Sequence, residues 1–536
     1  MQIDQKSVIR YHGNRMFVYF SLVTFLYSFN PITASHPTLG QEKLVKIVSK
    51  IELETLLNLG ISQIADYDKN IFAKVNQQDI EKLDELQLNY TVLDSLCTGE
   101  YYFAWLTEAE SALGLDKVIF VNQDFFIIRV STPAELNRLL QERVELRKIN
   151  FTPSVYNRAK IALPPVVYDP TIQAIVDRVS ADSVFGLVRR LVSFQTRYST
   201  TDSARACANY IKEKLEGYGL DSVYWQEFSP TYAPNVIGIK RGQIYPESIY
   251  TVICGHFDCT SGSPYTFAPG ADDNGSGASS VLEAARVMQD YNFNYSIRFI
   301  AFCGEEQGLI GSNYYASQAR NRGDSIIGVI NVDMVAYSLP NRDSASIIGK
   351  PENPNCAPLV DYFIACADTY TQLKTQRQII DRPRSDHASF NQYGYPAIHC
   401  RENLNVNNPH YHTIGDTIGG GFNSLDFCTE VIKASVATVA SLAQPISIGI
   451  TEEKMNKANF LVIPNPTYRI GQFRLPKTNE KIKIKIYDIA GKIKIVFDVL
   501  ENTERFDIDL SRLNSGVYFV ELIMAKIRYK NKIVIR

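Results

Sequence analysis
The runs "SIYTVICGH" (248–256), "GASSVLEAARVMQDY" (277–291) and "SIRFIAFC" (296–303) follow one another in that order, and the order decides the fold. The first and third are short, continuous and apolar, as strands buried on both faces are. The second repeats its apolar residues at helical spacing. The pattern extends both ways. "ARACANYIKEKLEGYG" (204–219) is an amphipathic helix ended by glycine, "GSNYYASQARNRG" (311–323) a further helix, and "SIIGVINVDM" (325–334) a further strand. Strands alternating with helices of this length imply an α/β domain over residues 171–445: a mostly parallel sheet flanked by helices. In such sheets the chemistry gathers at the carboxyl ends of the strands.

Those ends are polar in one consistent way. "VICGHFD" closes on His256 and Asp258, which point to the same side because they lie two apart. "APGADDNGSGAS" brings Asp272 and Asp273 to the start of a helix, "AFCGEE" ends in Glu305 and Glu306, and "INVDM" ends in Asp333. "NNPHYHTIGDT" adds His410 and His412, so five of the seven histidines fall between 256 and 412. Each motif alone is weak; their convergence in one domain is the signal.

Imidazole and carboxylate are zinc donors. Two metals about 3.5–4 Å apart need a bridging carboxylate and two further ligands each. His, Asp, Glu, Asp and His supply that number with one acid to spare. On an extended backbone neighbouring side chains diverge, so one glutamate of the adjacent pair would hold a metal and the other would take a proton from the attacking water. Asp258 would accept the proton of the other nitrogen of His256 and fix the ring.

The ordered set "GHFD", "APGADDNGSG", "GEEQGLIGS", "INVDM", "RSDHASF" and "NPHYHT" resembles the M28 family of zinc-dependent aminopeptidases over roughly residues 180–445. The resemblance implies the zinc exopeptidase fold. It implies His256, Asp273, Glu306, Asp333 and His412 as ligands of two zinc ions, with Asp273 bridging. Glu305 would be the general base, Asp258 would support His256, and Asp272 is the less favoured acid of its pair. Some relatives carry cysteines around the "SDHASF" turn; here Arg382, Pro383 and Arg384 stand instead, so the pocket differs.

Upstream, a charged stretch with Arg10, His12 and Arg15 precedes the apolar "MFVYFSLVTFLYSF" (16–29) and small residues at 33–35. This reads as a signal peptide over 1–35, since the apolar run is shorter than the roughly 20 residues a membrane span needs. Residues 41–150 alternate short apolar and amphipathic runs, beginning strand, helix, strand, helix, strand. They hold no chemical cluster, and their placement suits a propeptide-like α+β region. A proline-rich linker, "ALPPVVYDP" (162–170), follows.

After residue 456 helical spacing stops. "KIKIKIYDIAGK" alternates Lys and Ile up to a turn at Ala490-Gly491, and the tail reads as a β-sandwich to residue 536. With "DLSRLNSGVYFVEL" and "KNKIVIR" it resembles the C-terminal sorting domain of type IX secretion. That resemblance implies a secreted or cell-surface protein with the secretion machinery as partner.

A net charge of −2 over 536 residues excludes a general nucleic-acid binder, and no later segment is apolar for long enough to span a bilayer. Among the nine cysteines, Cys254 and Cys303 read as packed thiols, and Cys207, Cys356, Cys366, Cys400 and Cys428 as candidates for one or two bridges. The expected activity is removal of N-terminal residues from peptides. The rivals are a glutaminyl-cyclase-like acyltransferase with one zinc, a carboxypeptidase on the same fold, and a non-catalytic binding ectodomain. The full ligand set and an intact Glu305 weigh against the first and the last.

Overall fold
The computed structural model describes residues 8–12, 15–18, 42–48, 51–106, 112–114, 118–122, 124–141, 144–153, 163–243, 245–446, 461–463, 467, 470–475, 481–488, 492–500, 503, 505–524 and 527–535. They form two compact units, Met1–Ser447 and Ile448–Arg536.

In the first unit an eight-stranded sheet carries the candidate residues. Its order is Ser222–Gln226, Asn235–Lys240, Tyr295–Phe302, Tyr245–His256, Ser325–Val332, Ala397–Arg401, Ser344–Gly349 and Lys374–Ile379. Four of the seven pairings are parallel and three antiparallel, so the sheet is mixed, where the sequence had suggested a mostly parallel one. The departures lie toward the edges. Ser222–Gln226 and Asn235–Lys240 are joined by a short connection, which permits an antiparallel pair but no helical crossover. The four inner strands are parallel, and their carboxyl ends open on one region.

Helices cover both faces. Ala181–Val192, Asp202–Gly217, Gly275–Met288, Cys356–Tyr370 and Leu425–Ala443 share one apolar cluster with the sheet residues Ile253, Phe299 and Ile330. Ile310–Arg322 and His387–Gln392 cover the other face through Tyr315, Ala319 and Phe390, against Val252, Ile300 and Val329. Gly275–Met288 is buried along nearly its whole length. Its start lies against the strand Ser325–Val332, where a Cβ on Gly277 would run into the Val332 carbonyl oxygen. That close approach brings Asp273 and Asp333 to one place.

The region before this sheet contains two four-stranded antiparallel sheets. Lys43–Ile47, Ile64–Tyr67, Asn70–Val75 and Tyr90–Asp94 make the first, with a helix at Gln77–Glu85 entered through an Asn76–Asp79 capping box. Glu100–Leu106, Val118–Val121, Phe126–Val130 and Val144–Lys148 make the second, packed on the helix Pro133–Gln141. The strand Ile64–Tyr67 was missing from the expected order. It turns back through Asp68-Lys69, both at positive φ, a two-residue hairpin without the usual Asn-Gly signal. Of the expected signal peptide, Val8–His12 pairs with Arg15–Val18 and with Ala112–Gly114, and residues 1–7, 13–14 and 19–35 fall outside the described set. No helix among the described residues is long and apolar enough to cross a membrane.

The second unit has two antiparallel sheets. One is Leu461–Ile463, Ile470–Arg474 and Arg505–Asp509; the other is Ile493–Val499, Ile482–Tyr487, Gly516–Met524 and Ile527–Ile535. Ile482, Ile484 and Ile486 are buried with Phe473, Ile508, Val520 and Leu522, while the intervening lysines face outward. The turn at Ala490-Gly491 lies outside the described residues, between strands that do pair.

The expectation of disulfides is corrected. All nine cysteines are free, and eight of them are buried. Cys207, Cys366, Cys400 and Cys428 sit in the main apolar cluster and act as small hydrophobes, while the buried Cys356 thiol donates to Asn391 Oδ1 at 2.9 Å.

Candidate metal centre
His256 is the last residue of Tyr245–His256, and its Nδ1 lies 3.1 Å from the backbone carbonyl of Asp258 and 3.5 Å from Asp258 Oδ1. The ring is thus fixed largely by a carbonyl, where the sequence had pointed to the Asp258 carboxylate. That carboxylate has other work. Its Oδ2 accepts the Ser199 hydroxyl at 2.7 Å and the Glu306 N–H at 3.3 Å, and its Oδ1 accepts the Glu305 N–H at 3.4 Å. Asp258 therefore fixes the ring on one side and braces the adjacent glutamates on the other.

With Nδ1 so engaged, Nε2 of His256 faces Asp273 Oδ1 at 3.4 Å, Asp333 Oδ1 at 3.5 Å and Glu305 Oε2 at 3.9 Å. His412 turns its Nε2 to Asp273 Oδ2 at 3.2 Å and to Glu306 Oε2 at 2.9 Å. Asp273 thus stands between the two imidazoles and offers each a different oxygen. Asp333 projects from just beyond Ser325–Val332, with Oδ2 accepting the Ser385 hydroxyl at 2.6 Å. All seven predicted site residues converge here.

Two others quoted with them do not join. Asp272 points away: its Oδ1 accepts the Ala336 N–H at 2.8 Å and its Oδ2 the Asn408 side-chain amide at 3.0 Å. His410 serves the turn before His412, where its N–H donates to Asn408 Oδ1 and its carbonyl accepts from Thr413.

Several supporting residues carried no recognisable motif. Arg197 is fully buried and donates to four carbonyls: Phe257 at 2.6 Å, Leu191 at 3.1 Å, Pro269 at 2.8 Å and Gly270 at 2.7 Å. It ties together the two loops that present Asp258 and Asp273. Asp416 accepts the N–H of Asp272 through Oδ1 and that of Asp273 through Oδ2, each at 2.9 Å. Arg197 stands in "QTRYST" and Asp416 in "TIGDT", and only the folded chain brings them to the site.

Charge balance follows from burial and proximity. Burial opposes the charged form of both imidazoles, yet Glu305 and Asp333 push His256 well up, and Glu306 and Asp273 do the same to His412. Against the same burial, His256 pulls Asp333 down, and His256 and His412 together pull Asp273 down. Burial dominates at the paired glutamates. It lifts Glu306 to about 7 and, with Glu306, Asp333 and Asp386 nearby outweighing His256, lifts Glu305 well above the carboxylate range.

His256 Nε2, Asp333 Oδ1 and Glu306 Oε1 are buried with no hydrogen-bond partner among the described residues. Buried polar atoms are seldom left so. They belong to two groups of donors drawn to within 4.8 Å: His256, Glu305 and Asp333, and His256, Asp273 and Glu306. Imidazole nitrogens and carboxylate oxygens with unshared lone pairs facing one another fit a divalent cation such as zinc.

The cleft above these donors is also lined by Leu309, Met334, Arg382, Pro383, Arg384, Arg401 and Tyr411, and by Glu145, Leu146 and Arg147 from the strand Val144–Lys148. Burial, then the charges of Arg401 and Arg384, push the Arg382 guanidinium down to about 9.

Comparison with known proteins bears on this site. Residues 235–432 match the sequence profile of Peptidase family M28, and residues 461–536 match that of a secretion system C-terminal sorting domain. A probable zinc metalloprotease of Leptosphaeria maculans is 30% identical over 331 residues, covering 51% of this chain and 76% of that protein. A probable leucine aminopeptidase 1 of Trichophyton verrucosum is 29% identical over 373 residues, covering 63% and 97%. In fold, the Legionella pneumophila LapA aminopeptidase superposes with a TM-score of 0.55 at 22% identity, over 65% of this chain and 99% of that one.

Proposed function
The chain belongs to peptidase family M28, and from that premise we propose that it is an exported zinc aminopeptidase that removes N-terminal residues from peptides at a two-zinc site. One observation carries the two-metal reading: Asp273 offers Oδ1 to His256 and Oδ2 to His412, as a bridging carboxylate must. His256 and Asp333 complete one set of ligands with it, and Glu306 and His412 complete the other. Zinc bound by these residues would polarise the scissile carbonyl and make water a nucleophile at neutral pH.

The chain's own residues do the rest. Glu305 is the general base. Its side chain is 12% exposed, more than that of any proposed ligand, and it follows the strand Tyr295–Phe302 directly beside Glu306. Its place beside the proposed ligands suits it to take the proton of the attacking water and pass it to the leaving amine. Asp258 holds the backbone of both glutamates, so the base and the neighbouring ligand keep their separate directions. The sorting domain makes the protein a secreted or cell-surface one, delivered by the type IX machinery, and residues 1–35 are proposed as its signal peptide.

The reading is tested by metal analysis and substrate choice on the purified full chain. About two zinc ions per chain are expected, with hydrolysis of aminoacyl-p-nitroanilides and none of N-blocked peptides. One tightly bound ion with cyclisation of N-terminal glutamine would replace it with the cyclase reading.

A further inference from the structure
We propose that Arg382, Arg384 and Arg401 form a carboxylate-binding subsite in the catalytic cleft, that Glu145 fills it in the full chain, and that the preferred substrates are peptides presenting a carboxylate there. This rests on the peptidase reading above and names its substrate class.

Four guanidinium groups, those of Arg147, Arg382, Arg384 and Arg401, line the cleft, and of its five lining carboxylates only Glu145 lies outside the proposed metal site. Arg384 Nη1 donates to Glu145 Oε2 at 3.1 Å, and its guanidinium lies 4.9 Å above the buried Trp105 ring, which holds it in place. Arg401 has one ion-pair contact among the described residues, Glu402 at 3.7 Å, and its Nη2 also donates to Met334 Sδ at 3.7 Å. Arg382 has no ion-pair partner within 4.0 Å among the described residues. Its Nη1 and Arg401 Nε are buried without a hydrogen-bond partner. Unpaired buried cationic donors are costly to keep, and a carboxylate accepts from them in charge-assisted bonds that an amide cannot match. The motif difference at 382–384 thereby gains a chemical meaning.

Glu145 shows how such a ligand is presented. Its strand Val144–Lys148 is extended, and the chain is held at its end and beyond it. The Lys148 N–H donates to Gly308 O at 3.4 Å, just beyond the paired glutamates, and the Gln392 side chain donates to the carbonyls of Asn150 and Thr152. An extended backbone placing a carboxylate on Arg384, beside the proposed metal ligands, is the arrangement a bound peptide would take.

The test uses the zinc-loaded full chain carrying Glu305→Gln, built to bind without turnover, and calorimetric titration. The probes are tripeptide amides with Glu or Gln at each position in turn, and trileucine with a free or amidated C-terminus. At least one carboxylate peptide should bind about tenfold or more tightly than its neutral counterpart. Which one does so separates a side-chain carboxylate from the C-terminal one. Adding Glu145→Gln should widen the gap, Arg382→Gln should close it, and Arg382→Lys should retain part of it. Equal binding of all probes, or none, with and without Glu145→Gln overturns the proposal. Carboxylate preference in this variant, with no hydrolysis of any probe by the wild-type chain, would sink the peptidase reading and leave the subsite standing.

Discussion
Asp416 Oδ2 accepts the backbone N–H of Asp273 at 2.9 Å across 143 residues of sequence, while its other oxygen takes the N–H of Asp272. One carboxylate thus sets the backbone of the acid proposed to bridge the metals. Removing it frees that backbone without touching a ligand.

Asp416→Asn should therefore fold but bind zinc about 10–100-fold more weakly, the usual effect of losing a supporting contact. Competition titration against a chromophoric chelator reads this directly. Unchanged affinity would mean that Arg197 and the helix start hold Asp273 unaided.

The paired glutamates should separate cleanly. Glu305→Gln is expected to keep both metals and lose about 10²–10⁴-fold in turnover. Glu306→Gln is expected to lose metal, since its carboxylate faces His412 at 2.9 Å. Metal content and rate measured on the same preparations decide the matter, and matching behaviour of the two variants would reverse or erase the assignment.

Acid should weaken the fold through His387. Burial, then Arg382 and Arg147, push its imidazole from the ordinary 6.5 down to about 3. The native state holds the ring neutral, while the unfolded chain binds a proton below about 6.5. Stability attributable to this residue is therefore full above that pH and falls as pH drops toward 3, by up to about 1.4 kcal/mol per pH unit. Denaturant unfolding from pH 7 to 4 should show a shallower pH slope for His387→Gln than for wild type.

Deleting residues 459–536 should leave the peptidase folded and active but retained in the cell envelope, because every proposed ligand lies in Met1–Ser447. Fractionation of the native host is the check. Normal amounts of truncated protein in the medium would remove the sorting role from the tail.

What the sequence disclosed depended on range. The strand ends at His256, Glu305 and Asp333 were legible because each follows its own apolar run. Ile482, Ile484 and Ile486 were legible because alternation is a local signal. Arg197 and Asp416 have no local signature, as their side chains bind backbone groups that lie, apart from the Leu191 carbonyl, in distant loops. The antiparallel edge of the central sheet was missed because hairpin or crossover is settled by which strand lies alongside. Glu145 stayed unread for the same reason, since nothing around it in sequence refers to Arg384.

The free cysteines have a consequence for the journey the protein makes. Burial pushes Cys207 and Cys259 up to about 12, and Cys254, Cys303, Cys400 and Cys428 well above the thiol range. A thiol that does not ionise neither attacks a disulfide nor yields readily to an oxidant. Once folded, the eight buried thiols are indifferent to the redox state of the compartments the chain crosses. Its stability owes nothing to a thiol oxidase, and reducing agents should leave the fold intact.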